Sequence, residues 1–160
     1  MAEKSMNLTD LIGTLEEWFS KLPALPVSAK DVIVKIAPWL ALIFGILGVL
    51  AGLGGVAALL GLGALGMAVV PLGGYGAGTA YMAATATGVV FMLIALASSV
   101  LELLSFPGLK ARKMAGWNYA FYSVAVGVIG AIVAFSFFNA VVEAVVGFYL
   151  LFQVKSYYAK

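Results

Sequence analysis

Glu143 and Asn139 are the residues of this 160-residue chain best placed to do chemistry. They stand four apart in an otherwise apolar stretch, so on a helix they share one face, with Gly147 one turn further along. Glu143 is also the only acidic residue after Glu102. A carboxylate at membrane depth costs several kcal/mol to bury, which makes it by default a candidate carrier of a proton or cation. A plainer explanation competes. If Asn139 caps the N-terminus of a helix, the free amides and macrodipole of its first turn would favour a carboxylate there without any further role.

The remaining charged candidates read more simply. Glu102 lies near Lys110 and Arg112 in sequence and is expected to pair loosely with them at the interface, a contact worth little. Lys110, Arg112 and Lys113 form the most basic stretch of the chain. Such a loop fixes topology, and beside a charged leaflet it could hold anionic lipid at about 1 kcal/mol per charge.

Whole classes of function fall away on composition. The chain has neither cysteine nor histidine, so it lacks the thiolate nucleophile, the commonest metal ligand and the usual general base. No metal, no cofactor and no enzymatic activity are expected. A net charge of +2 with no basic stripe gives no footprint for nucleic acid.

The elements that must position these residues are apolar helices. The chain is 64% hydrophobic and 10% charged, against about 25% charged in an ordinary soluble domain. Between Lys35 and Glu102 there is no Asp, Glu, Lys or Arg, a run long enough for more than one crossing of a hydrocarbon layer ~30 Å thick. The composition predicts an all-α integral membrane protein whose partner is the lipid bilayer, with four spans over residues 38–62, 79–104, 117–136 and 139–157 arranged as two antiparallel hairpins. The glycine-rich segment 61–78, with Pro71-Leu72-Gly73-Gly74 at its middle, is the expected first turn, or alternatively a re-entrant loop. Ser105-Phe106-Pro107-Gly108 is expected to stop the second span. From Gly116 to Tyr157 a single helix would be about 63 Å long, so a turn is predicted at Ser136 to Asn139.

Residues 1–27 read as an amphipathic helix and a linker, and 28–160 as the bundle. Leu8, Leu11, Ile12, Leu15, Trp18, Phe19 and Leu22 recur at helical spacing opposite Asp10, Glu16, Glu17 and Lys21. Such a helix is expected to lie in the membrane interface with Trp18 and Phe19 dipped toward the acyl chains. Its acidic character also argues against a cleaved signal peptide. Pro23 and Pro26 break the helix, and Ser28 with Asp31 is expected to cap the next one. Trp39, Trp117, Tyr157 and Tyr158 are expected as further interfacial anchors.

Gly45, Gly48, Gly52 and Gly55 step by three and four residues and predict a smooth packing face, either within the molecule or toward a second copy. With four spans, Lys30, Lys35, Lys110, Arg112, Lys113, Lys155 and Lys160 share one side, which places both termini in the cytoplasm and the chain in the cell membrane. The expected function is a structural or interaction subunit that forms a homo-oligomer or packs in a larger membrane complex. The alternative is a transporter or channel for a proton, cation or small solute using Glu143 and Asn139.

Overall fold

The computed structural model describes residues 8–159, the side chains of Leu8, Leu59 and residues 62–85 excepted. The regular structure is all helical: α1 (Leu8–Ser20), α2 (Val27–Lys110), α3 (Met114–Val133), α4 (Phe137–Val154) and a closing 3-10 turn, Lys155–Tyr157. There is no strand among them. Four segments are long and apolar enough to cross a membrane: Val27–Ala58, Ala86–Lys110, Met114–Val133 and Phe137–Tyr157. That is the pattern of a multi-pass membrane protein.

The surface supports the same conclusion from the opposite direction. Ile43, Phe44, Leu47, Leu50 and Leu53 on the first segment, Leu93 and Val100 on the second, Ile129 and Ile132 on α3, and Val141, Val145 and Val146 on α4 are all exposed. The side chains enclosed at the helix contacts include Ser105 and Ser123. An apolar exterior around a partly polar interior reverses the arrangement water imposes, and a lipid surround removes the penalty for it.

α2 carries a continuous helical assignment, yet its two limbs pack on each other. A methyl added at Gly45 would meet Leu103, at Gly48 Ser99, at Gly52 Leu96 and at Gly55 Met92. The partner's number falls as the glycine's rises, so the limbs run antiparallel and the missing side chains let them approach closely. The glycine face is therefore spent inside the monomer. The turn expected at Pro71 to Gly74 and the re-entrant alternative lie outside the residues described in full.

Several helix ends differ from their expected places. Val27 already belongs to α2, whose N-cap is Pro26 in extended conformation with no side-chain cap, so the Ser28–Asp31 box is not what starts it. Pro38 is carried within this helix, and the first segment begins well before residue 38. At its other end α2 runs through Pro107 to Lys110 instead of stopping at Ser105. The cause is packing. Gly108 and Gly116 cross backbone to backbone, and continuing the helix past Pro107 is what brings them together.

Both turns of the second half close on a non-glycine residue in left-handed conformation, Arg112 at φ 52° and Phe135 at φ 56°. In each, an amide reaches back five residues, Lys113 to the Gly108 carbonyl and Ser136 to the Ala131 carbonyl, both at 2.8 Å. This hydrogen bond satisfies a helix-end carbonyl and usually employs glycine. A side chain there costs about 1 kcal/mol or more. Phe135 is 77% exposed and has little packing to lose, so Phe135→Gly is expected to raise the thermal midpoint in detergent.

α3 is the most enclosed of the four spanning segments. Trp117 stacks on Phe121, which in turn packs against Phe148 of α4, and the Trp117 indole N–H donates to the Leu151 carbonyl at 2.8 Å. Trp117 and Tyr158, expected as interfacial anchors, are thus enclosed in protein at 1% and 0% exposure. Trp117 sits among Phe121 of α3 and Phe152 of α4, and Tyr158 belongs to the same buried cluster. α1 is docked rather than free: Phe19 packs on Phe148 and Phe152, and Glu16 pairs with Lys155. Trp18 remains 66% exposed.

Candidate functional site

Glu143 stands nearly two turns into α4, which begins at Phe137 after the N-cap Ser136. Asn139 is not the cap; its side-chain amide donates to the Ser136 hydroxyl at 2.7 Å. Helix-end effects fade within the first turn, so they do not account for a carboxylate this far along. What accommodates it is Gly127 of α3. A methyl there would overlap the Glu143 Oε1 and sit 2.9 Å from its Cδ, so the glycine is a seat for the carboxylate.

The carboxylate faces a cavity of about 490 Å³ that also receives Asn139 and Ser136 from α4 and its cap, and Ser98 and Ser99 from α2. Asn139 and Glu143 are therefore brought together, as their spacing implied. Below them lies a serine pair: Ser98 Oγ donates to the Ser123 carbonyl at 2.9 Å, and Ser123 Oγ to the Ser98 carbonyl at 3.0 Å. Reciprocal bonds of this kind between apolar helices are worth about 1 kcal/mol. Ser123→Ala is expected to lower stability by about that amount in detergent denaturation, with a further loss when Ser98→Ala is added, because each hydroxyl donates to a backbone carbonyl that the other substitution leaves in place.

One turn beyond Ser98 comes Glu102, whose surroundings differ from those expected. It does not pair with the basic loop: among the described residues neither ion pair involves it. Its side chain instead lines a second cavity, of about 270 Å³, between both limbs of α2, α3 and α4. Two carboxylates from different helices thus line neighbouring cavities, Glu143 with Ser98 and Ser99 and Glu102 with Ser105 and Ser123, and the Ser98–Ser123 hydrogen bonds link the two linings. The signal for Glu102 was present in the sequence as Ser98, Glu102, Ser105 and Leu109, a helical face that turns out to be the inner one.

The basic residues gather at the other end. Lys110 lies over the rings of Trp39 and Phe106, 5.4 and 5.6 Å from their centroids. Lys155 covers Trp117 and Phe152. Tyr157 stands beside Asp31 and Arg112, which joins the start of α2 to the end of α4. Burial pushes the Tyr158 phenol above its ordinary range, and the Arg112 guanidinium partly offsets it. Lys113 is exposed at the same end.

Comparison with protein-family models, with curated proteins and with solved structures gives no match.

Proposed function

We propose that the chain is a multi-pass membrane protein that moves a proton or small cation through its interior, with Glu143 and Glu102 as successive stations. The observation that carries this reading is the pair of inward carboxylates on two helices, each lining an interior cavity, with the hydrogen-bonded Ser98 and Ser123 contributing one hydroxyl residue to each. Carboxylates at membrane depth are costly, and a chain that keeps two on one internal path gains nothing in stability from them. Exchange of a proton or cation between them gives them a use.

The scaffold reading is the weaker of the two. It relied on small-residue faces for association, and Gly45, Gly48, Gly52 and Gly55 are occupied by the chain's own Leu103, Ser99, Leu96 and Met92. Orientation follows the excess of lysine and arginine, which puts the end bearing Lys110, Arg112, Lys113 and Lys155, and with it both termini, in the cytoplasm of a cell-membrane protein. α1 then lies at that surface, and Lys110 and Lys113 stand where anionic lipid headgroups would be.

The test is direct. Purified protein in liposomes with a trapped pH indicator, given a proton, sodium or potassium gradient, is expected to dissipate at least one of them faster than empty liposomes. No flux of any of the three overturns the transport reading, and a defined oligomer or a stable partner in mild detergent would then support the scaffold.

A further inference from the structure

The polar part of the larger cavity's lining consists of oxygen-bearing side chains, those of Glu143, Asn139, Ser136, Ser98 and Ser99, and no lysine or arginine reaches it. The Glu143 carboxylate is located there by contact: its Oε1 lies where a methyl on Gly127 would stand, and Gly127 belongs to the same wall. Among the described residues it has no ion pair. The Asn139 amide nitrogen donates to Ser136, which leaves Oδ1 free to accept. Asn139 and Glu143 stand one turn apart on α4, about 5–6 Å between Cβ atoms, so one ion can touch both. Ala134 and Asn139 line the cavity and are exposed, so it opens at the α3–α4 turn, away from the basic end.

The lining chooses its guest by number, charge and room. A proton needs a single oxygen, and the carboxylate alone would hold it. A metal ion takes several, and carboxylate, amide and hydroxyl oxygens are what hard cations bind. One carboxylate in this lining balances one positive charge. A divalent ion would bring a second, unbalanced charge into a low-dielectric surround, which strongly resists it. At about 490 Å³ the space exceeds a bare ion and leaves room for several waters of about 30 Å³ each. Such waters can link an ion to hydroxyls it does not touch.

We propose that this cavity binds a monovalent metal ion that keeps part of its water shell, held directly by the Glu143 carboxylate and the Asn139 amide oxygen and through water by Ser98, Ser99 and Ser136. The ion enters from the α3–α4 turn.

The inference rests on the transport reading for the role of Glu143 and adds the identity of the ion, and its test measures equilibrium binding without any flux. Proton flux with no metal binding overturns it and leaves transport standing; metal binding with no flux does the reverse. Equilibrium dialysis of the purified protein in neutral detergent, buffered by a bulky organic base, would compare sodium, potassium and calcium chlorides. Saturable uptake of sodium or potassium is expected at a single site per chain, with calcium at least tenfold weaker. Glu143→Gln should weaken the binding at least tenfold. Asn139→Leu, at an exposed position, should weaken it about threefold, and it carries the test alone if Glu143→Gln does not fold. Glu17→Gln removes a carboxylate of α1 outside the cavity and should bind as the wild type does. The proposal is overturned if neither monovalent ion saturates the folded wild-type protein, if calcium binds as tightly, if Glu17→Gln loses as much affinity as Glu143→Gln, or if folded Glu143→Gln, or Asn139→Leu in its place, keeps the wild-type affinity.

Discussion

Glu143→Gln is expected to abolish flux through the reconstituted protein, by at least tenfold, while leaving its helix content intact and its thermal midpoint equal or higher. Glutamine matches the shape of the side chain over Gly127 but can neither release a proton nor neutralise a cation. Removing a carboxylate from a low-dielectric surround also removes a cost of several kcal/mol. Activity and stability should therefore move in opposite directions, which a purely structural residue would not produce. Gly127→Ala offers an independent check, because a methyl there collides with the carboxylate oxygen and must displace it. Flux should fall in that variant although no charge has changed. Undiminished flux in Glu143→Gln would remove Glu143 from the path.

The largest effect on stability is expected at Gly116. A methyl there would fall against the Leu109 amide and the Gly108 carbonyl carbon, and one on Gly108 would come within 2.5 Å of the Gly116 Cα and nitrogen. Every obstructing atom is backbone, so no rotamer change relieves the overlap. Gly116→Ala must push the end of α2 away from the start of α3, at about 3 kcal/mol or more. Gly54 is the matched control: nothing lies within 4 Å of a methyl built on it, and Gly54→Ala should be neutral or stabilising by up to about 1 kcal/mol through helix propensity. Thermal unfolding of the three proteins in one detergent reads the difference. A Gly116→Ala protein as stable as the wild type would mean that the two helices do not cross this closely.

What could be read from the sequence divides along physical lines. The spans were legible because the hydrocarbon thickness and the missing charges between Lys35 and Glu102 leave few arrangements open. The glycine stripe was legible as a packing face, but its partner was not: a smooth helix surface records that something approaches, not that it is Leu103, Ser99, Leu96 and Met92. Pro107 illustrates the limit of local rules, since a proline that usually ends a helix is overridden by the contact between the next residue, Gly108, and Gly116 of α3. Trp117 and Tyr158 carry the amphipathic character of interfacial anchors, and only the convergence of α3 and α4 shows that they face inward. Glu102 was misjudged for a related reason. Its distance in sequence from Lys110 suggests pairing, while the helix turns it away from that loop and into the cavity between α2, α3 and α4.

The linker carbonyl of Pro23 accepts hydrogen bonds from Tyr149 and Gln153, and Gln153 in turn accepts from the Leu25 amide, so the first described helix is fastened to the last. During synthesis these partners are separated by more than 120 residues, so the contact face of Phe19 stays uncovered until α4 has been made. The fastening is thus an end-of-assembly event: a truncated product keeps an unsheathed aromatic flag, and a finished one hides it.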